Sequence, residues 1–174
     1  MMAASNVTAG SGSPLALSCL VIATNQNRLR FARHWLPTIE PIATPTATPI
    51  IRPESLLEQT IIHECAKQPA TKESGSFYAG ASRVTFKRFA SLNFMVVSTQ
   101  SENQYAMLAF IQAFVEILSK YFGSFSEYHV IFHLEKIHLV LDEMVTAGFV
   151  VETNRDLILP TFAQLERNVM PAYT

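Results

Sequence analysis

Three histidines and a glutamate in the second half of the chain have the residue types of a metal site. His129 and His133 are four residues apart, and Glu135 and His138 follow closely. Residues four apart on a helix share a face, as the zinc-binding histidines of metallohydrolases do. However, the glutamate lies outside the first histidine interval, and the residues inside that interval are apolar. Partly exposed helix histidines are therefore the favoured interpretation, and no metal or cofactor is expected.

The sequence also contains no pattern typical of nucleophilic or phosphate chemistry. Cys65 follows His63 and Glu64, but adjacent helical side chains point about 100° apart, so the three do not form a relay. A glycine-rich phosphate loop, a GxSxG turn and a CxxC pair are all missing. The two cysteines, Cys19 and Cys65, are too few for a disulfide scaffold or a four-thiolate zinc site. We therefore expect a protein that is not an enzyme.

The composition indicates a single apolar domain. The 174 residues lie in the usual range for one domain, and 49% of them are hydrophobic whereas only 16% are charged. Thirteen basic against 14 acidic residues give a net charge of −1, which argues against a nucleic-acid-binding surface. The apolar run Leu15–Ala23 is too short to cross a bilayer, and the first basic residue, Arg28, follows it. We therefore predict a cytoplasmic protein.

Hydrophobic periodicity and turn residues predict the order of the elements that must position any site. The predicted strands are Leu17–Ala23, Arg28–Trp35, Arg83–Arg88 and Leu92–Thr99, and the predicted helices are Ser55–Lys67, Ser101–Phe122, Glu135–Thr146 and Arg155–Arg167. Capping-box spacing marks helix starts at Ser55, Ser101 and Ser124, and Gly148 is expected to end the third long helix. Two or three strands are expected between the first two helices. This order predicts an α+β sandwich with a five-stranded antiparallel sheet and helices on both faces.

Two segments have the composition of irregular structure. Residues 1–16 are rich in small and polar residues and predict a disordered leader. Prolines recur every four residues from Pro37 to Pro53, which removes backbone donors and excludes a helix or a central strand. We therefore predict one domain over residues 17–167 with a proline-rich insertion at about 36–53, followed by a tail at 168–174.

Four stretches of the second half have recognisable motifs. They are Lys87–Phe94, which resembles "YRRYAxLYF", Phe114–Phe122, which resembles "FVEVLDxYF", Phe132–Val145, which resembles "FNxxKVHxxLDEM", and Val151–Arg155, which resembles "xETN". By these motifs the sequence resembles the sigma (small) subunits of clathrin-associated adaptor complexes, and within that family it is most similar to the sigma subunit of the fourth adaptor complex. A segment of the second predicted strand, Leu29–Trp35, is similar to the family more loosely.

This resemblance implies a longin-like (profilin-like) fold and a non-catalytic role in vesicle-mediated protein transport. The implied direct partner is a large adaptin, within a heterotetramer that also contains a second large subunit and a medium subunit. The implied location is cytoplasmic and peripheral, on trans-Golgi, endosomal or coated-vesicle membranes that are reached through the complex. No nucleic-acid partner is implied.

The resemblance also implies a pocket for acidic dileucine sorting signals, in which an Asp or Glu precedes a pair of leucines or a Leu-Ile pair by three residues. Arg30 matches a basic residue that faces the acid of the signal, and Phe125 stands where a smaller valine is usual. The full set of matching positions is Arg30, Ala90, Leu92, Val115, Ser124, Phe125 and Val130.

Two other classes of protein remain as alternatives. A stand-alone longin-domain trafficking regulator or SNARE-like protein would need a heptad-bearing helix or a membrane anchor, and none is expected after Leu165. A small hydrolase using His129, His133 and His138 would bind stoichiometric zinc, which elemental analysis of the purified protein would detect.

Overall fold

A computed structural model of the chain describes residues 14–35 and 53–169. The five strands of its main sheet are β1 (Cys19–Thr24), β2 (Leu29–His34), β3 (Ser74–Ala79), β4 (Ser82–Phe89) and β5 (Leu92–Thr99). Two short strands, β6 (Val145–Thr146) and β7 (Phe149–Val150), form a separate hairpin. The helices are α1 (Pro53–Ala66), α2 (Gln104–Phe122), α3 (Glu127–Phe132), α4 (Leu134–Met144) and α5 (Arg155–Val169).

The main sheet has the order β2-β1-β5-β4-β3, and all neighbouring strands are antiparallel. This arrangement confirms the predicted α+β fold class with a five-stranded antiparallel sheet. β5 has the predicted bounds, and every residue from Leu92 to Ser98 is buried, as expected for a central strand covered on both faces.

The sheet separates two hydrophobic cores, because alternate residues of a strand point to opposite faces. Leu20 and Ile22 of β1 join the core on the side of α2, α4 and α5. Cys19 and Val21 join the core on the side of α1. By length and composition α2 could cross a membrane, but it has seven buried residues that pack in the first of these cores, as a core helix does.

The predicted leader boundary is wrong, because its last residues belong to the fold. Leu15 is fully buried, and its carbonyl oxygen accepts a hydrogen bond from the Val150 backbone N–H at 2.9 Å. Ala16 forms an isolated bridge to Phe149. Gly148 lies in the tight turn between β6 and β7 with a φ of 84°, so it does not end α4 as predicted.

Three helix starts also differ from the capping-box predictions. The first helix begins at Pro53, because proline suits the first turn, so Ser55 lies inside α1. The cap of α2 is Asn103, whose side-chain oxygen accepts the backbone N–H of Tyr105 at 2.9 Å. The cap of α3 is Ser126 rather than Ser124. Several small polar residues precede α2 and α3, so capping-box spacing alone did not identify the cap.

One strand of the sheet begins within a predicted loop. β3 is an edge strand that pairs only with β4 among the described strands, from Ser74 opposite Lys87 to Ala79 opposite Ser82. Its Ser- and Gly-rich sequence has weak strand propensity, so pairing with β4 decides its conformation. Residues 1–13, 36–52 and 170–174, which include most of the predicted leader, the proline-rich insertion and most of the tail, lie outside the described residues.

Candidate functional site

Four of the seven predicted site residues meet in the core on the α2 side of the sheet. Leu92 begins β5, Val115 lies midway along α2, and Phe125 and Val130 belong to the segment that follows α2. Each of these side chains is at most 4% exposed. The structure therefore brings the predicted apolar residues into one cluster, and it places them inside the core.

The chain between α2 and α4 brings Phe125 to this cluster. Gly123 ends α2 with a φ of 78°, a backbone conformation that favours glycine and turns the chain sharply. Two residues later the Phe125 ring enters the core, where its centroid lies 6.1 Å from that of Phe94 and 5.9 Å from that of Phe122. Ser126 then caps α3, and its backbone N–H donates to Nδ1 of His129 at 3.2 Å.

Arg30, the predicted partner of a signal's acid, already has an acidic partner within the chain. Its Nε and one terminal guanidinium nitrogen lie 2.8 Å and 2.7 Å from the same Oε1 of Glu127. The two side chains are 26% and 33% exposed, so water screens the pair only partly. Sequence reasoning missed Glu127, because 97 residues separate it from Arg30 and no local pattern connects them.

The two remaining predicted residues are exposed. Ala90 lies in the turn between β4 and β5 with a φ of 51°, and its carbonyl oxygen accepts a hydrogen bond from the Asn25 side chain at 3.4 Å. Ser124 is exposed between Gly123 and Phe125. A separate groove of about 700 Å³ between the start of β2 and α1 contains none of the seven predicted residues.

The histidines considered as metal ligands do not converge. The helix is interrupted at His133, with φ of −130° and ψ of 41°, so His129 and His138 lie on different helices. The His129 and His133 rings are stacked with centroids 6.0 Å apart, and the His138 ring packs on Phe31 at 4.8 Å. Within residues 14–35 and 53–169, no three His, Cys, Asp or Glu side chains are arranged to hold a metal ion.

The titratable groups of the cores serve packing rather than chemistry. Burial raises the pKa of the Cys65 thiol, an effect that the nearby Arg88 guanidinium partly opposes. Cys65 is only 2% exposed and Cys19 is fully buried. A buried thiol with a raised pKa is a poor nucleophile.

The comparisons with known proteins identify the family. A family model described as "Clathrin adaptor complex small chain" matches residues 16–169. The chain belongs to this family. It is 36% identical over 118 residues to the human "AP-4 complex subunit sigma-1", covering 67% of this chain and 81% of that protein. It is also 41% identical over 85 residues to the "AP-4 complex subunit sigma" of Arabidopsis thaliana, covering 49% of this chain and 59% of that protein.

The resemblance to adaptor sigma subunits, and to the fourth complex in particular, is therefore confirmed. A sigma subunit of the third complex from Arabidopsis thaliana is also similar, with 37% identity over 95 residues. The fold matches a chain of the "Homology model of the full-length AP-3 complex in a stretched open conformation" with a TM-score of 0.63 and 21% identity, covering 88% of this chain and 95% of that chain. This match confirms the longin-like fold of adaptor small chains. The chain is thus an adaptor-type small subunit in vesicle trafficking, a class of structural transport proteins rather than enzymes.

Proposed function

We propose that this chain is the small subunit of a heterotetrameric adaptor complex, in which it binds a large adaptin directly and helps to recognise acidic dileucine signals on cargo. The second large subunit and the medium subunit complete the complex. The complex places the chain on the cytoplasmic face of trans-Golgi, endosomal or coated-vesicle membranes. Membership of the small-chain family over residues 16–169 is the observation that carries the proposal.

Exposed apolar side chains on α3 support an association with a partner. Tyr128 is 58% exposed and Phe132 is 62% exposed, with ring centroids only 4.7 Å apart. Ile131 of α3 and Leu134, the first residue of α4, are exposed as well. Clusters of exposed aromatic and aliphatic residues are characteristic of protein interfaces. We define these four residues as the α3 patch, and a large adaptin that covers it would remove its apolar surface from water.

Co-expression with the large adaptin of the fourth complex tests this part of the proposal. We expect the two chains to co-purify, and we expect Phe132→Ser to reduce the recovered adaptin several-fold. Tyr78→Ser is the matched control, because Tyr78 is 60% exposed but lies on the edge strand β3. A chain that is stable and monomeric alone, and that recovers no adaptin, would rule out the assignment as a complex subunit.

The position of Arg30 against the start of α3 supports the second part of the proposal. Two signal leucines buried against Leu92, Val115 and Val130 would gain roughly 3–6 kcal/mol of transfer free energy before ordering costs. Arg30 lies beside α3, the helix that carries Val130, and it offers a partly exposed cation for the acid upstream of the leucines. Such a charge contributes selectivity and association rate more than affinity.

Binding of a labelled peptide to the assembled complex tests this recognition. Replacing Leu92 or Val115 would not be informative, because both side chains are part of the core and their loss destabilises the fold. Arg30→Gln is expected to reduce the preference for the peptide Glu-Ser-Ser-Ser-Leu-Leu over Ser-Ser-Ser-Ser-Leu-Leu about threefold to fivefold. It should not weaken the binding of Ser-Ser-Ser-Ser-Leu-Leu, which carries no acid.

Arg33→Gln is the matched control for this measurement. Arg33 lies three residues further along β2 and forms an ion pair with Asp142 of α4. It should therefore have no effect on either peptide. Equal binding of the two peptides by the unmodified complex would show that Arg30 does not recognise the acid of the signal. Binding of neither peptide would refute the assignment of a dileucine site.

A further inference from the structure

The predicted dileucine site is filled by the chain itself. The apolar side chains that a signal would contact, Leu92, Val115 and Val130, are 0%, 2% and 0% exposed. The Phe125 ring belongs to the same core and contacts the Phe94 ring. A signal leucine therefore finds no uncovered surface on these three side chains until part of this core moves.

Arg30, the cation of the site, is also paired with a residue of the chain itself. Oε1 of Glu127 accepts a hydrogen bond from Nε of Arg30 and forms an ion pair with a terminal nitrogen of the same guanidinium. Charge-assisted hydrogen bonds of this kind are stronger than neutral ones. An incoming acid must therefore replace Glu127 at the guanidinium, since Coulomb attraction to a cation that is already paired is small.

Both occupants are carried by one short segment. Phe125 and Glu127 are two residues apart, so the segment presents a large apolar side chain and an acid together, which are the two chemical features of the signal. Gly123 bounds the segment on one side and the helix break at His133 bounds it on the other. The chain from Gly123 to the first turn of α3 can therefore rearrange without unwinding α2 or α4, and Val130, which lies further along α3, need not leave the core.

We propose that the Phe125–Glu127 segment is an internal competitor that occupies the dileucine site, and that a signal binds only when it displaces this segment. The inference rests on the proposed recognition of dileucine signals and adds its regulation. The apparent affinity for a signal is then the intrinsic affinity reduced by the fraction of molecules in which the segment has moved out. Substitutions that weaken the internal contacts should therefore tighten binding.

Peptide binding to variants of the assembled complex tests the proposal. Fluorescence anisotropy of a labelled Glu-Ser-Ser-Ser-Leu-Leu peptide gives the dissociation constant. Glu127→Gln is expected to lower this constant about threefold to fivefold, as expected when a partly exposed ion pair is lost. Phe125→Ala is expected to lower it by about tenfold or more, because the cluster is vacated. Thermal melting of each variant verifies that it is folded.

Two matched controls separate displacement from general loosening. Asp142→Asn removes another ion pair of strand β2, that with Arg33, and Phe77→Val removes part of a half-buried phenyl ring that packs in the α1-side core. Neither change is expected to alter peptide affinity. If Phe125→Ala is too unstable to assemble, Phe125→Leu is measured in its place, and a smaller gain in affinity is expected.

The outcomes distinguish this inference from the proposed function. If the unmodified complex binds the peptide, but the Glu127→Gln and Phe125 variants bind it with equal or lower affinity, the segment lines the site instead of occupying it. This result would refute the proposal of an internal competitor. If neither the unmodified complex nor any variant binds, dileucine recognition itself fails. Hydrogen exchange gives a second readout: added peptide should accelerate exchange of the amides of residues 124–127, and slower exchange there would contradict displacement.

Discussion

Arg88 is expected to be the main anchor of the loop that follows α1, and its replacement provides a sharp test of how a family motif residue stabilises this fold. One terminal nitrogen of its guanidinium donates to the carbonyl oxygens of Pro69 at 2.6 Å and Lys72 at 3.1 Å. The other donates to Gln68 at 3.2 Å and Cys65 at 3.5 Å. One planar cation thus satisfies carbonyls of the last turn of α1 and of the loop to β3.

The magnitude follows from these contacts. A hydrogen bond to a charged group contributes about 1.5–3 kcal/mol, but bonds to one guanidinium are not additive, and those to Pro69 and Lys72 are exposed. The guanidinium also lies 5.5 Å from the Phe86 ring centroid, a cation–π distance. We expect Arg88→Ala to lower the free energy of unfolding by about 2–3 kcal/mol. Arg88→Lys should lower it by about 1–2 kcal/mol, because an ammonium cannot span four carbonyls.

Urea denaturation followed by circular dichroism gives both values from the shift in midpoint at constant slope. Arg28→Ala is the matched control, because Arg28 is exposed in the turn before β2. It should change the free energy of unfolding by less than about 0.5 kcal/mol. A result in which Arg88→Ala is no more destabilising than Arg28→Ala would refute the anchoring role.

Three further predictions follow from local contacts. Burial lowers the pKa of His138 below its usual 6.5, an effect that Arg33 aids and Asp142 opposes. The free energy of unfolding should therefore fall as pH drops below that value, and His138→Gln should flatten this dependence in urea titrations between about pH 7.5 and about 5.5. Asn154→Ala should lower the free energy of unfolding by about 1 kcal/mol, because the Asn154 side chain accepts a hydrogen bond from the Asp156 backbone N–H at 3.0 Å. A lower melting temperature would show this loss, and an unchanged melting temperature would refute the capping role of Asn154. A thiol reagent should modify Cys19 and Cys65 only after urea is added, and rapid labelling of the native chain would contradict their burial.

Local patterns predicted the elements whose own sequences decide their structure. The buried run of β5 and the stripe of α4, with Ile137, Val140, Leu141 and Met144 all buried, were predictable because periodicity and burial agree. The cap at Asn154 was predictable for the same reason. β3 and the buried Leu15 were not, because pairing with β4 and with the β6–β7 hairpin decides their conformation.

The arrangement of the candidate site was even less predictable from local sequence patterns than these elements. The resemblance selected Leu92, Val115 and Val130, and the fold places them in one cluster. The sequence did indicate Phe125 as a larger side chain where a valine is usual, but no pattern in it indicated that Glu127 pairs with Arg30. This pairing depends on how α3 lies against β2, and this packing joins residues that are far apart along the chain.

The sheet separates the two apolar cores, and this separation affects how the protein tolerates substitutions. Its two sides share backbone hydrogen bonds but no common cluster of side chains, so a rearrangement beside α3 does not require repacking around α1. Substitutions placed on opposite sides should therefore have additive effects on stability. The side of the sheet that carries α1 can therefore keep its structure while the side that carries α3 rearranges.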